Sequence, residues 1–205
     1  MLVFENGVGA LNLPFTAAQS GAMTSRAVHP LTLRLMSELV EQLLGRPFDI
    51  VNPYLSATKG EMVAALPLAA RRACAASESC DNAAAGRGAL QKRCGFCTSC
   101  LLRRVSFQAA GRAGWDDRPY LADRAGTSPR DCLPEMLWQA ATLDRALRSS
   151  DPDELRRRVP SLRYVPEDSL DDSAQRRLLG AYVDEWRRYP DPAVRRYLDP
   201  VPLAG

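Results

Sequence analysis

With 205 residues, 46% of them hydrophobic, and a formal net charge of +3, the chain is long enough for one sizeable domain or a core with an appendage, and too weakly basic for charge alone to mark a nucleic-acid partner. No apolar run approaches the roughly 20 residues of a membrane helix. Met1 to Gly9 carries Glu5 and no basic n-region, so it does not read as a signal peptide, and a cytoplasmic setting is expected. In that reducing setting six cysteines point to metal or catalysis before disulfides.

Leu2 to Glu5 reads as a short strand meeting a turn at Asn6-Gly7, and Gly9 to Phe15 alternates weakly as a second short strand. Thr16 to His29 is small, polar and aperiodic, a long loop. Pro30 opens a helix whose apolar stripe of Leu31, Leu35, Leu39 and Leu43, with Met36, Val40 and Leu44, ends at Gly45. Phe48 to Tyr54 reads as extended, and Lys59 to Leu66 as a short helix broken at Pro67. Leu101 to Ala110 forms a helix leaving the last of a run of cysteines and stopping at Gly111. Arg112 to Asp131, with Gly114, Pro119, Gly126 and Pro129, is a polar linker. Pro134 opens a helix with Met136, Leu137, Ala140, Leu143 and Leu147 on one side. A final helix starts near Ser173, a candidate N-cap, and carries Leu178, Leu179, Tyr182, Val183 and Trp186. From Asp144 to Asp199 there are 12 arginines and 12 acidic residues, so this Arg-rich third is neutral and reads as solvated helix faces. The expected organisation is an α/β domain over 1–115, a linker over 116–132 and a helical extension over 133–205.

The cysteines carry the most specific pattern. Cys94-Gly-Phe-Cys97-Thr-Ser-Cys100 sets three thiols with two residues between neighbours, and Cys80 lies upstream with thirteen residues between it and Cys94. Each C-x-x-C turn points two sulfurs at one centre, and a remote fourth closes a tetrahedron of the kind structural zinc favours. Thiolates this close repel one another without a cation. A four-iron cluster of the bacterial ferredoxin kind asks for a further cysteine where this chain has Arg104. A zinc site filled by four protein ligands leaves no place for substrate water, so its role is to hold the fold. Cys74 and Cys132 are isolated and read as small apolar residues, although Cys74 is near enough in sequence to compete with Cys80.

On Cys80 and on Cys94-Gly-Phe-Cys97-Thr-Ser-Cys100-Leu-Leu-Arg103-Arg104, the chain resembles the C-terminal part of the 7-cyano-7-deazaguanine synthases of queuosine biosynthesis, and more closely their relatives in bacterial antiphage defence operons. Weaker similarities lie at Glu5-Asn6-Gly7 with Leu11-Asn12-Leu13-Pro14, at Thr24-Ser25-Arg26-Ala27-Val28-His29-Pro30, at Thr58-Lys59-Gly60-Glu61 and in the Trp186 helix. The resemblance implies the C-terminal part of an adenine-nucleotide alpha-hydrolase-like α/β fold with a four-cysteine zinc knuckle. It also implies ATP-dependent ligation, with Mg2+, that turns the 7-carboxy group of a deazaguanine into a nitrile through an adenylated carboxylate and ammonia.

The family holds the ATP phosphates with a Ser-Gly-Gly-x-Asp-Ser loop, an anion nest at a helix N-terminus. Ser20-Gly-Ala-Met-Thr-Ser25 matches it only superficially: Ala22 stands at the second glycine and Thr24 at the acidic position, with no strand before it. The nucleotide-binding half is therefore expected upstream of Met1 or from a second copy or partner chain; a trimmed remnant is the other reading. Arg26, Lys59 and Glu5 are the candidate contacts to a deazaguanine-like small molecule. Arg26 offers a bidentate clamp for a carboxylate, Lys59 a charge at a helix start, and Glu5, with Asn6, a strand-end position. His29 beside Pro30 reads as a helix-start cap before a general base. Arg103 and Arg104 read as a charged outer helix face. The alternative is a non-catalytic zinc-knuckle module that docks nucleic acid or protein beside these arginines. The absence of a net basic stretch and an aromatic content of 7% argue against the nucleic-acid form.

Overall fold

A computed structural model describes residues 1–14, 27–81, 93–121 and 131–198. The chain gathers into two compact units, Met1–Thr58 with Ala141–Val183, and Lys59–Ala140 with Asp184–Gly205.

In the first unit the extended pieces at the start of the chain and after Phe48 run parallel but meet only at an isolated bridge, Leu2 with Val51. Val3 N–H donates to Val51 O at 2.9 Å and Val51 N–H to Met1 O at 3.0 Å. Farther along, the Asn52 side-chain amide donates to Glu5 O at 2.8 Å, and Gly7 N–H to Ala57 O at 2.8 Å. The second predicted strand, at Gly9 to Phe15, is replaced by helix α1 (Gly7–Ala10), because the Asn6 side chain accepts from Gly9 N–H and turns the backbone into a helical start. The described residues are therefore mostly helical and include no strand, so the expected α/β class is not what they form. A single bridge fixes too few residues to propagate a ladder.

Helix α2 (Pro30–Leu44) starts and stops as predicted: Pro30 occupies the first turn, and Gly45 closes it at φ 65°, where a side chain would be strained. His29 is its N-cap, buried, with Nδ1 accepting from Leu31 N–H at 3.3 Å. Its Nε2 lies 3.3 Å from Ser161 O, so the ring is the neutral tautomer that donates there. Ser161 Oγ donates in turn to Leu11 O at 2.9 Å. Ser161 sits in a 3-10 turn (Pro160–Tyr164) following α7 (Glu154–Arg158). Leu11, Leu33, Leu143, Leu155, Leu162, Leu178, Leu179 and Tyr182 are buried in this unit.

In the second unit α3 (Lys59–Ala65) packs against α5 (Thr98–Ala109), with α4 (Arg71–Ala76) following α3 in the chain. The last carbonyls of α3 lack helical partners, and Arg112 caps them, donating to Leu66 O at 2.6 Å and Ala64 O at 2.9 Å. Of the three unit boundaries one lies at the start of α3 and the others within α6 (Leu133–Arg148) and α8 (Asp172–Arg187), and α9 (Pro192–Leu198) follows. The start of α8 is set by Asp171, whose carboxylate accepts from Ala174 N–H at 2.7 Å, and not by Ser173. Trp186, Leu137, Met136 and Leu101 are fully buried here. Among the described residues no helix is long and apolar enough to cross a membrane.

A Cβ at Gly7 would collide with the carbonyl oxygen of Leu55 and the side chain of Leu178. Because one obstacle is backbone, Gly7→Ala is expected to destabilise the chain by about 1–3 kcal/mol. Urea unfolding monitored by circular dichroism measures the shift in midpoint.

Candidate metal centre

Four thiols converge in the second unit. Cys80 follows α4, Cys94 and Cys97 bracket a tight turn, and Cys100 lies in the first turn of α5. All four are buried, and their Sγ atoms lie within 4.8 Å of one another. Cys94 and Cys100 Sγ are 3.8 Å apart, close to the edge of a sulfur tetrahedron drawn at about 2.3 Å from a central ion. Backbone N–H groups are aimed at sulfur: Cys97 N–H donates to Cys94 Sγ at 3.3 Å, and Cys94 N–H to Cys80 Sγ at 3.4 Å. Gly95 makes this possible at φ 86°, a left-handed conformation in a buried turn. Such donors favour the ionised form of sulfur. The Cys97 thiol is drawn down to about 5, first by its hydrogen bond with Cys100, with backbone donors of Cys100 and Asp81 adding to it against burial. The same contact, with burial, pushes Cys100 up. A buried sulfur cluster sharing its protons in this way could hold a metal ion, whose charge would let all four ionise.

The turn is pinned on each side. The Asp81 carboxylate accepts from Ser99 Oγ at 2.8 Å and Thr98 Oγ1 at 3.3 Å, fastening the Cys80 stretch to the start of α5. Cys132 N–H donates to Phe96 O at 2.9 Å, and Phe96 and Tyr120 pack on the thiols.

Beside the thiols lies a charged node. Arg93, fully buried, donates to Asp116 Oδ1 at 2.6 Å and to Ser77 O at 2.6 Å. Arg103 donates to the same Asp116 oxygen at 2.8 Å, to Ser77 Oγ at 2.9 Å and to Cys74 O at 2.7 Å. The Tyr120 hydroxyl donates to Asp116 Oδ2; burial and that carboxylate push its ionisation up. Arg118 adds bonds to Glu78 at 3.2 Å and Ala76 O at 3.0 Å. The segment that delivers Cys80 is thus gripped by three guanidinium groups.

This corrects the expectation for Arg103, which is buried, with its guanidinium also 4.8 Å from the Phe107 ring centre. Arg104 lies over Tyr120 at 5.0 Å and Tyr189 at 5.9 Å. Neither is a solvated outer face, because Arg103 is bound to Asp116 and Cys74 O and Arg104 lies against two tyrosine rings. Asp116 and Tyr120 stand in the stretch read as a linker, and sequence reasoning passed them over. The signal that could have found them was Arg93 immediately before Cys94 and Arg103 just after Cys100: two arginines bracketing a buried knot require a carboxylate.

Of the candidate substrate contacts, Arg26 lies outside the described residues. Glu5 belongs to the first unit, where Oε1 accepts from Asn6 N–H at 2.9 Å and from the Asn6 side chain, supporting the cap of α1. Lys59 is the first residue of α3, half-buried, in the second unit. Cys74 and Cys132 are half-buried, outside the sulfur cluster and in no disulfide. Compared with known proteins, the chain matches no family model, no curated protein and no solved structure.

Asp116→Ala strands two buried guanidinium groups. It is expected to cost about 3–5 kcal/mol, the range for breaking one partner out of a buried ion pair. Thermal unfolding of the variant measures it, and Asp116→Asn should lose less because an amide oxygen still accepts.

Proposed function

We propose that the cysteine cluster holds one structural zinc ion in a chain that forms part of a 7-cyano-7-deazaguanine synthase-like ligase. The observation that carries the metal assignment is the convergence of four buried Sγ atoms within 4.8 Å. Four thiolates suit zinc, which takes a closed tetrahedral sulfur shell in structural sites and then has no position left for water. The ion would supply the positive charge that four ionised sulfurs need. Cys94, Cys97 and Cys100 with remote Cys80 would hold it, fixing the start of α5 to the stretch after α4.

The ligase reading is supported by the cysteine run and its spacing and by the weaker similarities at Glu5-Asn6-Gly7, around Arg26 and at Thr58-Lys59-Gly60-Glu61. In this reading Glu5, Arg26 and Lys59 touch a 7-carboxy-7-deazaguanine-like substrate. ATP and Mg2+ bind on a nucleotide-binding half that lies outside this sequence, upstream of it or on a second chain, and the setting is cytoplasmic, in deazaguanine metabolism or antiphage defence. Adenylation of the carboxylate turns its oxygen into a good leaving group that ammonia displaces. The alternative of a knuckle that docks nucleic acid through α5 gains no support, since Arg103 is committed to Asp116 and Cys74 O and Arg104 is stacked on tyrosines.

Elemental analysis of the purified chain should find close to one zinc per molecule and no iron, and Cys80→Ser should lose most of it. Chelation should then lower the thermal midpoint, because metal binding energy is folding energy in such knots. Calorimetry should detect binding of 7-carboxy-7-deazaguanine, weakened by Lys59→Ala. ATP–pyrophosphate exchange by the isolated chain should be undetectable, and clear exchange would overturn the reliance on a separate nucleotide half.

A further inference from the structure

Beside the charged node the second unit has a cavity of about 390 Å3, within the roughly 300–1,000 Å3 of small-molecule sites. Helix α5 lines it with Arg104, Phe107 and Gln108, and the chain between α8 and α9 with Tyr189, Pro190 and Asp191. Asp116 and Tyr120 also border it. Asp116 has both oxygens engaged, Oδ1 by Arg93 and Arg103 and Oδ2 by the Tyr120 hydroxyl, and two cations offset its charge. Tyr189 is different. It is buried, 8% exposed, with its ring set edge-on to Trp186 at 6.1 Å. Among the described residues its hydroxyl has no hydrogen-bond partner, although a buried tyrosine hydroxyl usually finds one. Burial pushes its ionisation up, so the hydroxyl stays a donor. The Gln108 side-chain amide also has no partner among the described residues. Asp191 Oδ1 accepts from Ala193 N–H at 2.9 Å, and among the described residues Asp191 is in no ion pair. Arg104 brings a positive charge, lying over Tyr120 at 5.0 Å and Tyr189 at 5.9 Å. Stacking uses the face of a guanidinium, whereas its N–H groups lie in the plane, so the rings fix the direction of those donors.

The complement of this set is a small molecule with opposite charges close together. Arg104, the Tyr189 hydroxyl and the Gln108 amide are donors suited to a carboxylate. Asp191 would repel a plain anion and attracts an ammonium instead. Both charges flank one side chain: Arg104 stacks on the Tyr189 ring, and Asp191 N–H donates to Tyr189 O at 2.9 Å. Phe107, Pro190 and Pro192 leave an apolar wall for a hydrocarbon group. A flat base is a poorer match, because Tyr120 and Tyr189 already carry Arg104 on their faces and Phe107 carries Arg103. We propose that this cavity binds a free α-amino acid with an apolar side chain, its carboxylate on Arg104, Tyr189 and Gln108 and its ammonium on Asp191. The site rests neither on the metal assignment nor on the ligase reading.

Calorimetry on the full chain, titrated with L-leucine, L-methionine and L-phenylalanine, should detect binding of at least one. For leucine, isocaproate lacks the ammonium and isoamylamine lacks the carboxylate; each should bind at least about tenfold more weakly, the loss expected for one charge-assisted hydrogen bond. Tyr189→Phe keeps the ring against Trp186 and Arg104 and removes only the hydroxyl. It should weaken the amino acid by about fivefold to tenfold, while the thermal midpoint of the unliganded chain stays at the parent value. Asp191→Asn keeps an acceptor for Ala193 N–H and removes the charge, so it should erase the preference for leucine over isocaproate. Gln108→Leu, at a partly exposed position, is the further variant and should weaken binding by a factor similar to Tyr189→Phe. Absence of binding by all three amino acids, equal affinity for isocaproate in the parent chain, tighter binding of adenosine, or affinity indifferent to these variants would each overturn the proposal.

Discussion

The second unit depends on putting four sulfur atoms and three guanidinium groups around one short stretch of backbone. Residues 74 to 80 form only the end of one helix and a run of turns, with few buried apolar side chains of their own. Such a stretch has little hydrophobic surface to offset the entropy of ordering it. Its position is set instead by directional bonds: Arg103 to Cys74 O, Arg93 to Ser77 O, Arg118 to Ala76 O, and Cys94 N–H to Cys80 Sγ. Bonds to charged donors are stronger than neutral ones, and Cys74 O accepts from Ser77 Oγ as well as from Arg103. The cost is the burial of two cations, and Asp116 answers it by accepting from both through a single oxygen while Tyr120 occupies the other. Glu78 supplies a second carboxylate, 3.4 Å from Arg93 and 3.2 Å from Arg118.

Much of this was legible from the sequence, and the rest was hidden for identifiable reasons. The four cysteines were readable because C-x-x-C spacing is a local geometric constraint that survives any surrounding fold. Helix α2 was readable from Pro30, the leucine period and Gly45, and His29 as its cap followed from its place before proline. The helix through Trp186 followed from its 3.6-residue period. Asp116 was not readable, because a carboxylate that serves two arginines 23 and 13 residues away leaves no periodic or motif signature. Arg103 was misplaced for the related reason that charged residues on a helix are usually solvated, and only the partner's position shows otherwise. The strands were over-read: Leu2 to Glu5 and Phe48 to Tyr54 have strand composition and do lie parallel, but composition does not supply the neighbouring strands that a ladder requires.

The amphipathic stripe of α2 shows the limit of periodicity in another way. Pattern alone says that Leu31, Leu35, Leu39 and Leu43 share an apolar arc. Leu33 is buried, and Ser37, farther round the helix, bonds the backbone at Ile50, so that side meets the unit. Leu35, Leu39 and Leu43 stay exposed. Helical spacing of leucines identifies a face that wants cover; it does not identify the cover. The same holds for Leu2-Val3-Phe4, whose unbroken apolar run is written for burial on both faces while only one flank of its backbone is paired.

The two units thus answer one physical problem with different means. In the first, aliphatic side chains from α7 and α8 and the 3-10 turn between them supply the buried surface, and hydrogen bonds such as Ser161 Oγ to Leu11 O fix register inside it. Nonpolar burial is non-directional, so that unit can be well packed internally and still present unsatisfied apolar surface at its edge. In the second, the knot near the cysteines relies on directional, saturable bonds, and a saturated site has no further valence to offer a ligand. The cysteine centre, with every sulfur buried, ties together distant stretches of the second unit.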